Sequence, residues 1–400
     1  MRTVAVVGAS LAGLSAARSL RRQGFDGRLV VIGDELHRPY DRPPLSKEFL
    51  AGTLGEADLA LETDDEDLRA QWLLGARATG LDRAERAVRL ADGREVRADG
   101  IVIATGAVAR TLPGSGSLAG VHTLRTLDDA RALREELASG GRLVVIGGGF
   151  IGAEVASTAH ALGLDVTIVE AAPTPLAGPI GAAMGGIVST LHGDHGVRLL
   201  CGVGVKGLRG DERSGTRVSP DGTRGRVDAV LLEDGRSISA DVVVVGVGAR
   251  PCVEWLEGSG VELDNGVKCG ADGRTSLAGV VAVGDCANWY DPRAGAHRRV
   301  EHWTGARERP DAAVATLLAG GAVEPGVPRP PYFWSDQYGV KIQFVGYAAA
   351  ADSVAIEAGA ADDRDVLAVY RRAGVPVAVL GMNQPRLFTR WRKQLAAACS

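Results

Sequence analysis

Cysteine is scarce and scattered. The five residues, Cys201, Cys252, Cys269, Cys286 and Cys399, form no CxxC pair and no ligand-like cluster. That argues against a disulfide framework and against a metal site, and no metal is expected. No apolar run approaches the roughly 18 residues that a membrane span requires. A strand pattern begins at Thr3 and leaves no room for a secretory leader, so a cytoplasmic protein is expected. Neither sign of charge prevails. With 45 basic against 49 acidic residues the formal net charge is −4, which offers no global attraction to nucleic acid or to an acidic membrane surface. Lysine is the rare cation, with five residues against 40 arginines. In a chain rich in Ala, Gly and Val that skew is a compositional bias, and against it each lysine stands out.

What the chain does have is alternation. Its 400 residues exceed one compact core and predict two or three domains. Short β-branched runs alternate with helical patterns, the order of an α/β protein with parallel sheets. Residues 3–7 read as strand, 11–22 as helix and 29–32 as strand, and the same order recurs at 143–146, 152–162 and 165–169. Pro/Gly/Ser-rich stretches at 111–120 and 320–331 read as linkers, and 209–226 as a polar surface excursion. Beyond Pro331 the runs "VKIQFVGY", "VLAVYRR" and "VPVAVLGM" read as strands of a separate antiparallel domain. The expected fold class is α/β: two Rossmann-like dinucleotide-binding domains plus an α+β C-terminal domain. The expected boundaries are 1–109 with 240–320 for the first domain, 110–239 for the second and 321–400 for the third.

Two stretches 139 positions apart, "VAVVGASLAGLSAA" (4–17) and "LVVIGGGFIGAE" (143–154), run from an apolar strand through a glycine-rich turn into a helix. In such a turn the first glycine permits the sharp reversal. A small second residue lets the backbone approach a pyrophosphate seated on the helix N-terminus. Gly147, Gly149 and Gly152 fill all three places in the second copy. In the first, Gly8 and Gly13 fit, and Ser10 holds the middle place, small and able to donate its hydroxyl to phosphate. Each copy is followed, at the end of its next strand, by a carboxylate: Asp34 or Glu35 in the first, Glu170 in the second. A carboxylate there accepts hydrogen bonds from an adenosine ribose. One such motif can reflect packing alone; two, each with its acid, point to two dinucleotides. Glu170 would repel a 2′-phosphate, and Ala171-Ala172 supply no arginine to receive one, so NADH is expected over NADPH.

Further stretches fit the same plan. "IVIATGAVAR" (101–110) and "DVVVVGVGARP" (241–251) are buried-strand runs ending in glycine turns, and "GVVAVGDCA" (279–287) ends a strand at Gly284-Asp285. Together with "GDELHRPYDRPPLSKEFL" (33–50), "HTLRTLDDA" (122–130), "RVEHWTGA" (299–306) and "FWSDQYG" (333–339), they span essentially the whole chain. In these motifs it resembles the two-dinucleotide-binding flavoproteins, and more closely the putidaredoxin-reductase-like ferredoxin reductases that serve bacterial oxygenases. The departures are the polar excursion and Pro310, soon after "EHWTGA", and neither touches a motif.

The resemblance implies an FAD site at Gly8, Ser10, Ala12, Gly13, Asp34 or Glu35, Arg42 and Lys47. It adds Ala78 through its backbone, Thr105, Gly106, Arg125, Gly284, Asp285, Glu301, His302 and Trp303. Asp285 is expected at the ribityl chain and Trp303 beside the isoalloxazine, with His302 mainly structural. NADH is expected against Gly147, Gly149, Phe150, Ile151, Gly152, Glu170 and Gly248. Lys47 is expected to tune the flavin, where a compact cation stabilises the negative charge of the reduced ring, and Glu154 resembles its carboxylate partner. The alternative for Lys47 is a solvated charge in a Pro-rich loop.

The same resemblance implies electron transfer from NADH through FAD to a small iron–sulfur ferredoxin that supplies a cytochrome-type mono-oxygenase or a ring-hydroxylating dioxygenase; a [2Fe–2S] cluster is the first expectation, with a larger cluster or a rubredoxin left open. The cofactors carry the hydride, and no covalent catalyst is required. Disulfide reductases of this plan need a cysteine pair on the helix after the first turn, and residues 14–23 hold none. Peroxidase and NADH-oxidase relatives use a single cysteine near "PPLSK", and residues 33–50 hold none. Cys286 reads as a small core residue. An NADH oxidase-like flavoprotein and a slow-turnover, partner-binding flavoprotein remain the alternatives. For the partner, "QPRLFTRWRKQL" (384–395) brings Arg386, Arg390, Arg392 and Lys393 without an acid, interleaved with Phe388 and Trp391. That is either a surface for an acidic ferredoxin or a solvated helix face. Trp334 is a second candidate, at the electron exit. Monomer and homodimer are both open.

Overall fold

The computed structural model describes residues 1–210, 225–321, 323–324 and 329–397. Compactness divides the chain into two units: Met1–Asp41, Leu59–Val108 and Arg250–Pro331 form the first, and Arg42–Asp58, Ala109–Ala249 and Tyr332–Ser400 the second.

The first unit is built on a five-stranded parallel sheet in the order Val280–Ala282, Gly100–Ile103, Thr3–Val7, Arg28–Ile32, Ala70–Leu73. Strands buried on both faces read as continuous apolar runs, and Val4 to Val7 are at most 2% exposed. The helix Leu11–Arg22 buries Leu14, Ala17 and Leu20 in the same core. An antiparallel sheet of Ala78–Asp82, Ala87–Leu90 and Glu95–Arg97 also belongs to this unit. So does the helix Trp303–Ala319, which contributes Ala306, Ala313, Val314 and Leu317 to its core. Pro310 sits inside that helix and is buried. Its missing N–H interrupts the helical ladder, but apolar packing on both sides carries the helix through.

The second unit repeats the parallel plan in the order Arg198–Cys201, Asp165–Glu170, Arg142–Ile146, Val242–Val245, Val121–His122. Its fingerprint helix runs Phe150–Ala161 with Gly149 as N-cap. It starts two residues before the sequence reading, because the turn is complete at Gly149 and the apolar Phe150-Ile151 already wind. The C-terminal segment forms an antiparallel sheet in the order Tyr332–Gln337, Val340–Gly346, Val375–Met382, Asp365–Arg372, Ser353–Ala360. One face packs Ile342, Phe344 and Leu380 against Met184, Val188 and Leu191 of the helix Ala182–Asp194. Full burial of each such side chain contributes roughly 1.5–3 kcal/mol. The other face is covered by Phe388 and Leu395 of the helix Pro385–Ala397.

Part of the expected linker at 320–331 and most of the polar excursion at 209–226 lie outside the described residues, as does Cys399. Among the described residues no helix is long and apolar enough to cross a membrane, and no group of His, Cys, Asp and Glu is placed to hold a metal ion.

Candidate functional site

In the first unit the chain reverses at Gly8, which has φ +122°. A Cβ there would stand 2.0 Å from the Ala104 carbonyl oxygen, and one on Gly13 would stand 1.8 Å from that of Gly8. Both glycines are demanded by close backbone approach. Ser10 is the N-cap of Leu11–Arg22, yet its side chain makes no capping bond, and the first turn holds no acid. The positive end of this helix is therefore left without a carboxylate of its own, which fits a phosphate. Of the two acids after Arg28–Ile32, the exposed Asp34 pairs with Arg77 at 2.9 Å, and the half-buried Glu35 accepts from the Tyr40 hydroxyl at 2.5 Å.

The rest of the flavin candidates in this unit are held by the chain. Thr105 Oγ1 donates to the Cys252 carbonyl at 2.6 Å, and the Gly106 carbonyl accepts from the Cys252 N–H at 3.0 Å. Ala78 opens its strand, with a register shift between it and Gly80. A Cβ on Gly284 (φ +72°) would come 2.7 Å from that of Ala12. Asp285 follows in the short turn Gly284–Cys286. Burial pushes the Cys286 thiol up to about 11, so at neutral pH it is a protonated core residue. Burial pushes His302 down to about 4 against the opposing pull of Asp285, so its ring is neutral. Glu301 pairs with Arg299. The Trp303 indole Nε1 donates to Asp41 Oδ1 at 2.7 Å, which fixes the ring.

The second fingerprint separates the jobs of its glycines. Gly147 (φ +104°) would place a Cβ 2.3 Å from the Gly246 carbonyl oxygen, and Gly152 would place one 2.2 Å from that of Gly147. Gly149 has φ −73°, a value any residue adopts, and a Cβ on it would meet no atom within 4 Å. Neither the turn nor the packing requires glycine at 149, and the helix behind it has no acid in its first turn. Glu170 is tied to the backbone on either side of it. Its Oε2 accepts from the Gly148 N–H and its Oε1 from the Ala172 N–H, both at 2.7 Å. Phe150 packs on Phe333 with centroids 4.7 Å apart, while Ile151 is 45% exposed. Gly248 (φ +97°) accepts from the Arg110 N–H at 2.9 Å.

Lys47, Glu154, Arg42 and Arg125 all belong to the second unit, unlike the other flavin candidates. Lys47 Nζ donates to Glu154 Oε2 and to the Pro43 carbonyl, both at 2.7 Å. With side chains 13% and 6% exposed, this is a buried pair, and the solvated-loop alternative for Lys47 is overturned. Arg42 donates to the Arg125 carbonyl at 2.6 Å. Four polar residues that the sequence does not single out complete the pair's surroundings. Ser46 Oγ donates to Glu154 Oε2 at 2.5 Å, and Thr158 Oγ1 to the Ser46 carbonyl at 2.8 Å. Ser335 Oγ donates to Glu154 Oε1 at 2.7 Å, and Gln337 Nε2 to Ser335 Oγ at 3.1 Å. A signal for the last two exists in "FWSDQYG": on a strand, Ser335 and Gln337 share a face, and that face is the buried one.

The basic segment is the helix Pro385–Ala397. Arg386, Arg390 and Lys393 are exposed, and their i, i+4, i+7 spacing puts them on one stripe. The expected aromatic interleaving is corrected. Phe388 is 1% exposed, Trp391 packs beside it against the core, and the Arg392 guanidinium lies 4.0 Å from the Tyr332 ring centroid. Trp334 is half-buried and stacks on Tyr332 at 5.9 Å.

Residues 2–309 match the family model of pyridine nucleotide-disulphide oxidoreductases, and residues 332–400 that of the reductase C-terminal domain. The chain is 39% identical over 387 residues to the ferredoxin reductase component of a chlorobenzene dioxygenase from Cupriavidus sp. (strain PS12), a match covering 96% of this chain and 90% of that one. It is 36% identical over 398 residues to rhodocoxin reductase from Rhodococcus erythropolis, covering 98% and 89%. Among solved structures it is similar to a chain of the covalent putidaredoxin reductase–putidaredoxin complex, with TM-score 0.91, 33% identity and coverage of 99% and 93%.

Proposed function

The chain belongs to the pyridine nucleotide-disulphide oxidoreductase family, with a reductase C-terminal domain, and we propose that it passes electrons from NADH through FAD to a small iron–sulfur ferredoxin that supplies an oxygenase. The observation that carries this reading is the open space at Gly149. A glycine that neither turn nor packing requires, at the bare N-terminus of a helix, leaves open the room that an approaching pyrophosphate needs. Full-length similarity to ferredoxin reductases supports the acceptor. The net reaction is NADH plus two oxidised ferredoxins giving NAD⁺, two reduced ferredoxins and a proton. What FAD supplies when bound is the exchange of one two-electron donor for two one-electron acceptors.

The chain's own residues bind and orient. The N–H groups after Ser10 receive the FAD pyrophosphate, and Glu35 or Asp34 the adenosine ribose. Trp303, its indole tied to Asp41, offers an aromatic face. Gly149 leaves room for the NADH pyrophosphate, and Glu170 accepts from its ribose. Lys47, anchored by Glu154, stabilises the negative charge gained on reduction. The first test is NADH-driven cytochrome c reduction by the FAD-loaded protein, with and without a small bacterial [2Fe–2S] ferredoxin. The rate is expected to climb steeply with ferredoxin and saturate; a rate indifferent to ferredoxin overturns the acceptor.

Coenzyme choice turns on Glu170. Its carboxylate opposes a 2′-phosphate, and like-charge contact of this kind is worth about 100-fold in kcat/KM in favour of NADH over NADPH. Glu170→Ala brings that ratio within about tenfold. It also lowers the NADH rate itself, because the Gly148 and Ala172 N–H groups lose their acceptor. An unchanged ratio would remove Glu170 from the ribose.

For the ferredoxin we propose the stripe of Arg386, Arg390 and Lys393, with Trp334 at the electron exit. Reversing Arg390 and Lys393 to Glu raises the ferredoxin KM about tenfold at low salt and flattens its salt dependence. Arg392 is spared in this test because its guanidinium packs on Tyr332. A KM that does not move excludes this stripe.

A further inference from the structure

We propose that Ser335 and Gln337 are positioning residues that hold the Glu154 carboxylate, and through it the Lys47 ammonium, in a single orientation. The proposal rests on the reading that Lys47 acts on FAD. Lys47 is a point charge on a flexible stem, and its ammonium sits where its acceptors are: the Pro43 carbonyl and Glu154 Oε2 at 2.7 Å, with Ser46 Oγ at 3.3 Å. Pro43 lies on the same short segment, so the longer-range anchor is Glu154, 107 residues away in sequence.

What fixes Glu154 is its other oxygen. Oε2 is shared by Lys47 and Ser46, while Oε1 takes the Ser335 hydroxyl at 2.7 Å. A serine hydroxyl has one proton and rotates freely unless its lone pairs are engaged. Gln337 Nε2 donates to that oxygen at 3.1 Å and leaves the proton to point at Glu154. The bonds then run one way, amide to hydroxyl to carboxylate, and each polarises the next toward the charge. The reverse amide orientation would draw the Ser335 proton away from Glu154.

Burial makes this arrangement expensive unless it serves a purpose. Ser335 is 0% and Gln337 1% exposed, on the inward face of a strand where apolar side chains pack best. Gln337 Oε1 meets no donor among the described residues, a penalty that methionine or leucine would not incur. The strand end is fastened to the dinucleotide fold next to it: the Tyr338 N–H donates to Ser157 Oγ at 2.7 Å, and the Tyr338 hydroxyl bonds His192 Nδ1 at 2.8 Å. Ser335 therefore stands on a fixed support when it grips Glu154.

The test reads Lys47 directly. Competitive acylation of the FAD-loaded protein with a trace of acetic anhydride, followed by peptide mass spectrometry, reports each of the five lysines, so Lys206, Lys268, Lys341 and Lys393 serve as internal references. Loss of a hydrogen bond to a charged group is worth about tenfold. Ser335→Ala is expected to speed Lys47 labelling about that much and leave the four references unchanged, while Ser335→Thr, which keeps the hydroxyl, stays at the wild-type rate. Gln337→Met moves Lys47 the same way by less. In parallel, the limiting rate of FAD reduction by NADH falls about tenfold in Ser335→Ala, with the NADH dissociation constant unchanged. Unaltered Lys47 labelling in Ser335→Ala overturns the proposal, and so does acceleration of all five lysines, which would mark Ser335 as merely structural. Faster labelling of Lys47 alone with an unchanged reduction rate supports the positioning and instead removes Lys47 from the flavin chemistry.

Discussion

Replacing Lys47 with alanine slows reduction of bound FAD by NADH about 100-fold, with FAD retained and NADH affinity nearly unchanged. The size is that of losing one fixed, preorganised charge where negative charge builds, typically 10²–10³ in rate. The same substitution strands Glu154, a carboxylate 6% exposed whose only cationic partner is Lys47 among the described ion pairs. Removing one member of a buried pair costs about 3 kcal/mol or more, so the variant also melts earlier. Stability and rate are separable. Adding Glu154→Gln removes the stranded charge while keeping an acceptor for Ser335, and it restores most of the stability. It does not restore the rate, because the cation is still missing. Anaerobic stopped-flow bleaching of the flavin band gives the rate, and thermal unfolding gives the stability. A double variant that recovers both would mean that Lys47 serves only to neutralise Glu154.

How far the sequence reveals this arrangement depends on the range of each interaction. Strand, turn and helix around residues 3–22 and 142–170 are legible because glycine spacing and apolar runs are local signals, and the observed elements fall within two residues of that reading. Of the antiparallel C-terminal strands, Val340–Gly346, Asp365–Arg372 and Val375–Met382 are legible for the same reason, whereas Tyr332–Gln337 and Ser353–Ala360 are not, having no comparable apolar run. The Lys47–Glu154 contact spans 107 residues and is suggested only by resemblance, since no local periodicity links the two. Ser335 and Gln337 escape notice because period-2 reasoning looks for apolar residues inside, and here the inward places are polar. The basic helix is misread in the opposite sense. Counting Phe388 and Trp391 as interleaved surface aromatics ignores that a helix on a sheet must bury one stripe, and Phe388 and Leu395 form it. Glu170 is legible as an acid at a strand end, but its bonds to Gly148 and Ala172 depend on a backbone path that composition does not encode.

Gly149→Val raises the NADH KM about 100-fold or more and leaves the protein folded, and that contrast tests the proposed function most directly. Valine fits the chain there: φ −73° and ψ 176° are open to any residue, and no atom lies within 4 Å of the added Cβ. The loss of a glycine N-cap costs about 0.5–1 kcal/mol, a fall in Tm of no more than about 3 °C. The branched side chain instead fills the space from which a pyrophosphate would meet the N–H groups of Phe150 and Ile151. FAD content is expected to stay at the wild-type level and dithionite still to bleach the flavin, so the defect is confined to the coenzyme. The neighbouring glycines behave differently. At Gly147 and Gly152 a Cβ would lie 2.3 and 2.2 Å from backbone oxygens, so valine at either place costs several kcal/mol and yields little folded protein. Isothermal titration with NADH separates these cases. If folded Gly149→Val binds NADH as tightly as the wild type, the space above this helix holds no coenzyme, and the reading of the chain as an NADH-dependent reductase loses the observation that carries it.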